Sequence, residues 1–167
     1  MMREIPYLHR RGELPPTLQR IPLLARLNEP GRDEILRHAT LLECDAGDVI
    51  LRENDPSDAF YILLKGKLRV CTQRRDIASI AKAGETFGEI GLLRNEPRSA
   101  TVMTLGPAHV LRIDAGIRET FDTLAGARAS VQVFRFLAES LAERLVMTSK
   151  RLATLEEGVA RGRVYRI

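Results

Sequence analysis

A chain of 167 residues, 44% hydrophobic and 29% charged, is long enough for one domain with a sizeable core plus a tail. It holds no run of about 18 apolar residues, so no membrane span is expected, and residues 1–6 lack the apolar stretch of a signal peptide, which points to the cytoplasm. The net charge of +4 is dispersed, with a basic cluster only at residues 161–166, so DNA is not an expected partner.

In chain order, residues 1–16 contain Pro6, Pro15 and Pro16 without apolar periodicity and read as an N-terminal arm. Leu18, Ile21, Leu24 and Leu27, then Ile35 and Leu36 after a break at Pro30-Gly31, predict two short helices. The period then changes. Residues 41–44, 49–51, 60–64, 68–71 and 77–80 are short apolar runs, each bounded by a turn signal such as Asp45-Ala46-Gly47-Asp48 or Lys65-Gly66-Lys67. Two more strands are expected at residues 98–105 and 108–113. The pattern predicts a mainly β fold with flanking helices, built as an eight-stranded jelly-roll-like β-barrel over residues 17–125.

Helix is expected near residues 116–124 and again as a long C-terminal helix over residues 126–158, with a basic tail at 159–167. Val131, Ala138, Leu145, Leu152 and Val159 fall on one heptad position, and Phe134, Leu141, Thr148 and Leu155 on the other. This seam predicts a homodimer through residues 131–159. A second apolar face of Val133, Phe136, Leu137 and Val146 is expected to rest on the barrel. Only ten residues follow Glu157, so no helix-turn-helix domain is expected within these 167 residues. Cys44 and Cys71 form no Cys-x-x-Cys motif and are expected as free thiols, and His9, His38 and His109 are too scattered to predict a metal site.

The most informative segment runs Phe87-Gly88-Glu89-Ile90-Gly91-Leu92-Leu93-Arg94-Asn95-Glu96-Pro97-Arg98-Ser99-Ala100-Thr101-Val102. Arg98 carries a planar fork that holds two anionic oxygens at once, and Ser99 adds a hydroxyl and a backbone N–H beside it. Residues 89–93 can make one helical turn whose N–H groups face an anion, and Gly88 and Gly91 permit close approach. A carboxylate beside a phosphate would repel it, so Glu89 needs a different partner, and a ribose 2′-hydroxyl supplies one. No nucleophile with a base and an orienting group is visible, so no catalytic residue is expected.

This segment resembles the phosphate-binding cassette of the cyclic-nucleotide-binding domains found in catabolite activator proteins and protein kinase A regulatory subunits. The likeness extends to Gly47-Asp48-Val49-Ile50, Glu53-Asn54-Asp55, Phe60-Tyr61-Ile62-Leu63 and Lys65-Gly66-Lys67-Leu68-Arg69-Val70, over about residues 20–125. Asn54 stands where the family commonly has glycine, a residue type that tolerates the left-handed conformation. The resemblance implies a cyclic nucleotide receptor in which Gly88 and Glu89 contact the ribose and Arg98 and Ser99 hold the cyclic phosphate. It also implies that Phe87, Ile90 and Gly91 complete the cassette, that Leu92 and Ala100 line the pocket, and that Val70 and Cys71 border the base. The base needs a lid, for which Phe134, Arg135, Leu137 and Ala138 of the long helix are candidates. Serine after the arginine favours cAMP as the ligand, with cGMP or a cyclic dinucleotide as alternatives and no separate cofactor. Signalling is expected to run through the C-terminal helix to a downstream protein, and a regulatory fragment of a larger transcription regulator or channel is the other reading.

Overall fold

The computed structural model describes residues 1–73, 75–114 and 124–160. They form two units, Met1–Val133 and Phe134–Ile167. The helix expected at residues 116–124, apart from Leu124, and residues 161–167 of the expected tail lie outside the described residues, while residues 159 and 160 of that tail are helical.

The first unit carries three short helices, α1 (Pro16–Gln19), α2 (Pro22–Arg26) and α3 (Glu29–Arg37). Pro16 and Pro22 open their helices, where a missing N–H costs nothing because no intrahelical acceptor exists there. The expected break at Pro30-Gly31 is instead the first turn of α3. Asn28 caps it, its side-chain oxygen accepting from the Gly31 N–H at 3.0 Å, and the same orphan-donor argument tolerates Pro30. Leu18, Ile21, Leu23, Leu24, Leu27, Ile35 and Leu36 are all buried, as their helical spacing requires.

Nine strands are described: β1 (Arg3–Pro6), β2 (Ala39–Cys44), β3 (Val49–Leu51), β4 (Ala59–Lys65), β5 (Leu68–Thr72), β6 (Arg75–Ile80), β7 (Thr86–Phe87), β8 (Thr101–Thr104) and β9 (Ala108–Asp114). A fourth helix, α4 (Glu89–Arg94), lies between β7 and β8. The expected mainly β, jelly-roll-like fold with flanking helices is found, but not as a closed eight-stranded barrel. The strands form one sheet in the order β1-β2-β9-β4-β7 and a second in the order β3-β8-β5-β6, a jelly-roll-like sandwich that does not close. The edge strands β3 and β7 are short, with three and two residues.

Leu42, Tyr61, Leu63 and Val110 of the first sheet and Leu51, Leu68, Ile80 and Val102 of the second form one buried cluster. All observed strand pairs are antiparallel, and both faces of β4 are buried, which explains its near-continuous apolar run.

The segment read as an arm contributes a strand. β1 pairs with β2, Arg3 opposite Glu43, and the two side chains bond at 2.6 Å. Beyond it, His9 Nε2 meets Asp33 Oδ1 at 2.6 Å, with both side chains almost fully buried, and the Gly12 N–H donates to the same oxygen at 3.2 Å. A helix α5 (Leu124–Ala160) begins in the first unit, where a Cβ on Gly31 would approach that of Ala129 to 3.2 Å. The second unit is the continuation of α5, whose 37 residues give about 55 Å at 1.5 Å per residue. Among the described residues, no helix is long and apolar enough to cross a membrane.

Candidate functional site

The site begins where β7 ends. Register places Phe87 opposite Tyr61 of β4, and their buried rings stack with centroids 5.2 Å apart at 18°. Gly88 follows as the N-cap of α4 in the left-handed region at φ 76°, which turns the chain without a side-chain penalty. Space forbids a side chain as well. A Cβ there would lie 3.0 Å from Arg98 Nη1, 3.1 Å from Leu51 Cδ1 and 3.2 Å from Tyr61 Cδ2.

Glu89 opens α4 and is 1% exposed, so its carboxylate belongs to the interior of the site. Gly91 packs so tightly that a Cβ would stand 2.5 Å from Ser57 Oγ and 2.7 Å from the Glu96 carbonyl oxygen. Ile90 is partly exposed, and the side chain of Leu92 lies outside the described residues. α4 ends at Asn95, also left-handed at φ 55°, after which the chain returns towards β8.

Arg98 precedes β8 rather than starting it, and it is 4% exposed. Its backbone is fixed on both sides: its N–H donates to the Asp55 carbonyl and its carbonyl accepts from the Asn54 N–H, each at 2.8 Å. Asn54 reaches that position at φ 71°, the left-handed conformation expected for it. Nη1 gives one proton to the Ala59 carbonyl at 2.8 Å and the other to the Gly88 carbonyl at 2.7 Å. Nη2 lies 3.4 Å from Asp58 Oδ1, and the guanidinium carbon sits 5.5 Å from the Tyr61 ring centroid. Burial pushes the Tyr61 phenol above its ordinary pKa, opposed by the positive charges of Arg98 and Arg112.

Asp58 is shared, since Arg112 Nη2 donates to its other oxygen at 3.1 Å while Arg112 Nε lies 2.8 Å from Asp114. The structure thus brings together Phe87, Gly88, Glu89, Gly91 and Arg98. Ser99 is exposed beside Arg98, and Ala100 and Val70 are half-buried. Phe134 and Arg135 belong to the second unit; both are exposed, and Arg135 pairs with Glu139 at 3.0 Å. Asp58, the Ala59 carbonyl and the Tyr61 ring were not anticipated as site groups. Phe60-Tyr61 was noted as part of the family likeness, but nothing in its spacing announces a ring beneath an arginine. Among the described residues, no group of three His, Cys, Asp or Glu could hold a metal ion.

The model of the cyclic nucleotide-binding domain family matches residues 41–123. The chain belongs to the cyclic nucleotide-binding domain family. Within that family it is similar to the cAMP-dependent protein kinase regulatory subunit of Dictyostelium discoideum, at 31% identity over 117 residues. The match takes in 65% of this chain and 35% of that protein, so the chain spans about a third of its relative's length. A cyclic nucleotide-binding domain from Methylobacillus flagellatus shares the fold with a TM-score of 0.72 at 16% identity, covering 83% of each chain. The catabolite activator protein of Thermus thermophilus superposes with a TM-score of 0.61 at 27% identity, covering 81% of this chain and 63% of that one.

Proposed function

We propose that this cyclic nucleotide-binding domain is a receptor for cAMP, a binding module rather than an enzyme, and that α5 reports occupancy. The observation that carries the reading is the bracketing of Arg98. A buried guanidinium is costly unless an anion accompanies it. Here the carboxylate of Asp58 lies 3.4 Å away, two-thirds exposed and shared with Arg112. With both Nη1 protons committed to carbonyls, the plane of the guanidinium is set, and a phosphate diester would meet its Nε–Nη2 edge side-on, where Nη2 also reaches Asp58 at 3.4 Å. Glu89, buried at the start of α4, then serves as acceptor for a ribose 2′-hydroxyl, and Ser99 supplies a hydroxyl next to the phosphate.

The name of the Dictyostelium relative supports cAMP over cGMP. A dimer through α5 is part of the same proposal: Val131, Leu145 and Leu152 of the heptad seam are 67%, 67% and 56% exposed. Titration calorimetry of nucleotide-free protein with cAMP, cGMP and cyclic di-GMP tests the reading. cAMP is expected to bind tightest, and at 100 times its Kd to stabilise the fold by about 2.7 kcal/mol. Failure of all three to bind would overturn it.

A further inference from the structure

Glu53 lies outside the cassette, yet it bonds to the two strands that flank the site. Its backbone N–H donates to Thr101 Oγ1 at 3.0 Å, the first residue of β8. Its carboxylate accepts the Thr72 hydroxyl at 2.7 Å and the Gln73 N–H at 3.0 Å, at the point where β5 turns into β6. The Thr72 hydroxyl first, and the Gln73 amide second, hold the Glu53 carboxyl below its ordinary pKa, so it is the ionised form that clamps the turn. One residue further on, the Asn54 N–H bonds the Arg98 carbonyl, and the Arg98 N–H returns to Asp55.

These bonds close a ring. From Arg98 the chain enters β8, where Thr101 pairs with Cys71 and Val102 with Val70 of β5. From β5 it reaches Thr72 and Gln73, then crosses through the Glu53 carboxylate to the loop that fixes the Arg98 backbone. Gln73 adopts φ 46°, a left-handed conformation unfavourable for a residue with a side chain, and the carboxylate bond to its N–H stabilises the turn that contains it.

We propose that Glu53 is a positioning residue that sets the distance between the phosphate-holding Arg98 and the β5 face at Val70, and so tunes recognition of the nucleotide base. This rests on the cyclic nucleotide reading. The cassette chemistry described above assigns no task to an acid at this position, whereas the Thr72–Glu53–Gln73 bonds give it one.

The test compares wild type, Glu53→Ala and Glu53→Gln with two probes. One is cAMP; the other is methyl riboside 3′,5′-cyclic phosphate, which keeps the sugar and phosphate and lacks the base. Removing a charge-assisted acceptor should weaken cAMP binding by about tenfold in E53A, the base-less probe by less than about threefold, and E53Q should fall between. Without any nucleotide, hydrogen exchange at the Gln73 amide should accelerate by about tenfold in E53A. Unchanged Gln73 protection, or an equal loss of affinity for both probes, overturns the positioning role. Wild-type protein that binds neither probe overturns the nucleotide reading instead, and that titration is done before any variant is compared.

Discussion

At the scale of single residues, the chemistry rests on Arg98 and the two carbonyls that hold it. Lysine at this position keeps the charge but has one nitrogen, which cannot bond Ala59, Gly88 and a phosphate together in the geometry of a planar fork. Arg98→Lys should therefore lose more than about tenfold in cAMP affinity, and Arg98→Leu more than about a hundredfold, both read by calorimetry. The fold should survive each, since Asp58 keeps Arg112 as a partner. A leucine variant that retained wild-type affinity would sink the phosphate assignment. Arg98, Glu89 and the cassette glycines were legible because sixteen consecutive residues carry them. The carbonyl of Ala59, 39 positions away from Arg98, was not, because a backbone oxygen has no signature in residue type. Glu53 was hidden for a related reason. Its role depends on a turn that only strand pairing brings alongside it.

At the scale of elements, α3 is the anchor for the N-terminal segment. Burial alone would push the Asp33 carboxyl up, but the His9 ring, the Gly12 amide and the Arg11 charge together hold it below its ordinary pKa. A carboxyl whose pKa is lowered on folding adds stability above its unfolded value, about 3.9, and that stability is lost as pH falls through the lower folded value. Urea denaturation should show a steeper loss of stability below about pH 4 in wild type than in Asp33→Asn, and equal acid limbs would refute the linkage. None of this was visible in residues 1–16. β1 is exposed along its whole length and ends at Pro6, so it lacks the alternation that marks a strand. α3 was misplaced by its own N-terminal proline, whose meaning changes from breaker to helix opener once Asn28 is seen to cap it. The strands with a buried face, β2, β4, β5 and β9, were legible from their apolar runs, whereas the sheet order that separates sandwich from barrel is carried by long-range pairing.

At the scale of the whole molecule, the proposed dimer has a direct readout. Leu145 and Leu152 lie one heptad apart and are mostly exposed on α5. Charges at both positions should oppose a coiled-coil seam. Sedimentation velocity should find a dimer for the wild type and a monomer for Leu145→Glu/Leu152→Glu. A wild-type monomer at tens of micromolar, on the order of ordinary transient affinities, would demote the seam to a solvated face.

β1 has a practical consequence for handling the protein. It lies over the outer edge of β2, pairing with residues that would otherwise offer a row of unsatisfied amides and carbonyls to another molecule. The new rim it creates is short, charged at Arg3 and Glu4, and closed by Pro6, a poor template for further strands. Trimming the first eight residues to tidy an expression clone would thus strip a guard from the sheet, and precipitation of such a clone would say nothing about its pocket.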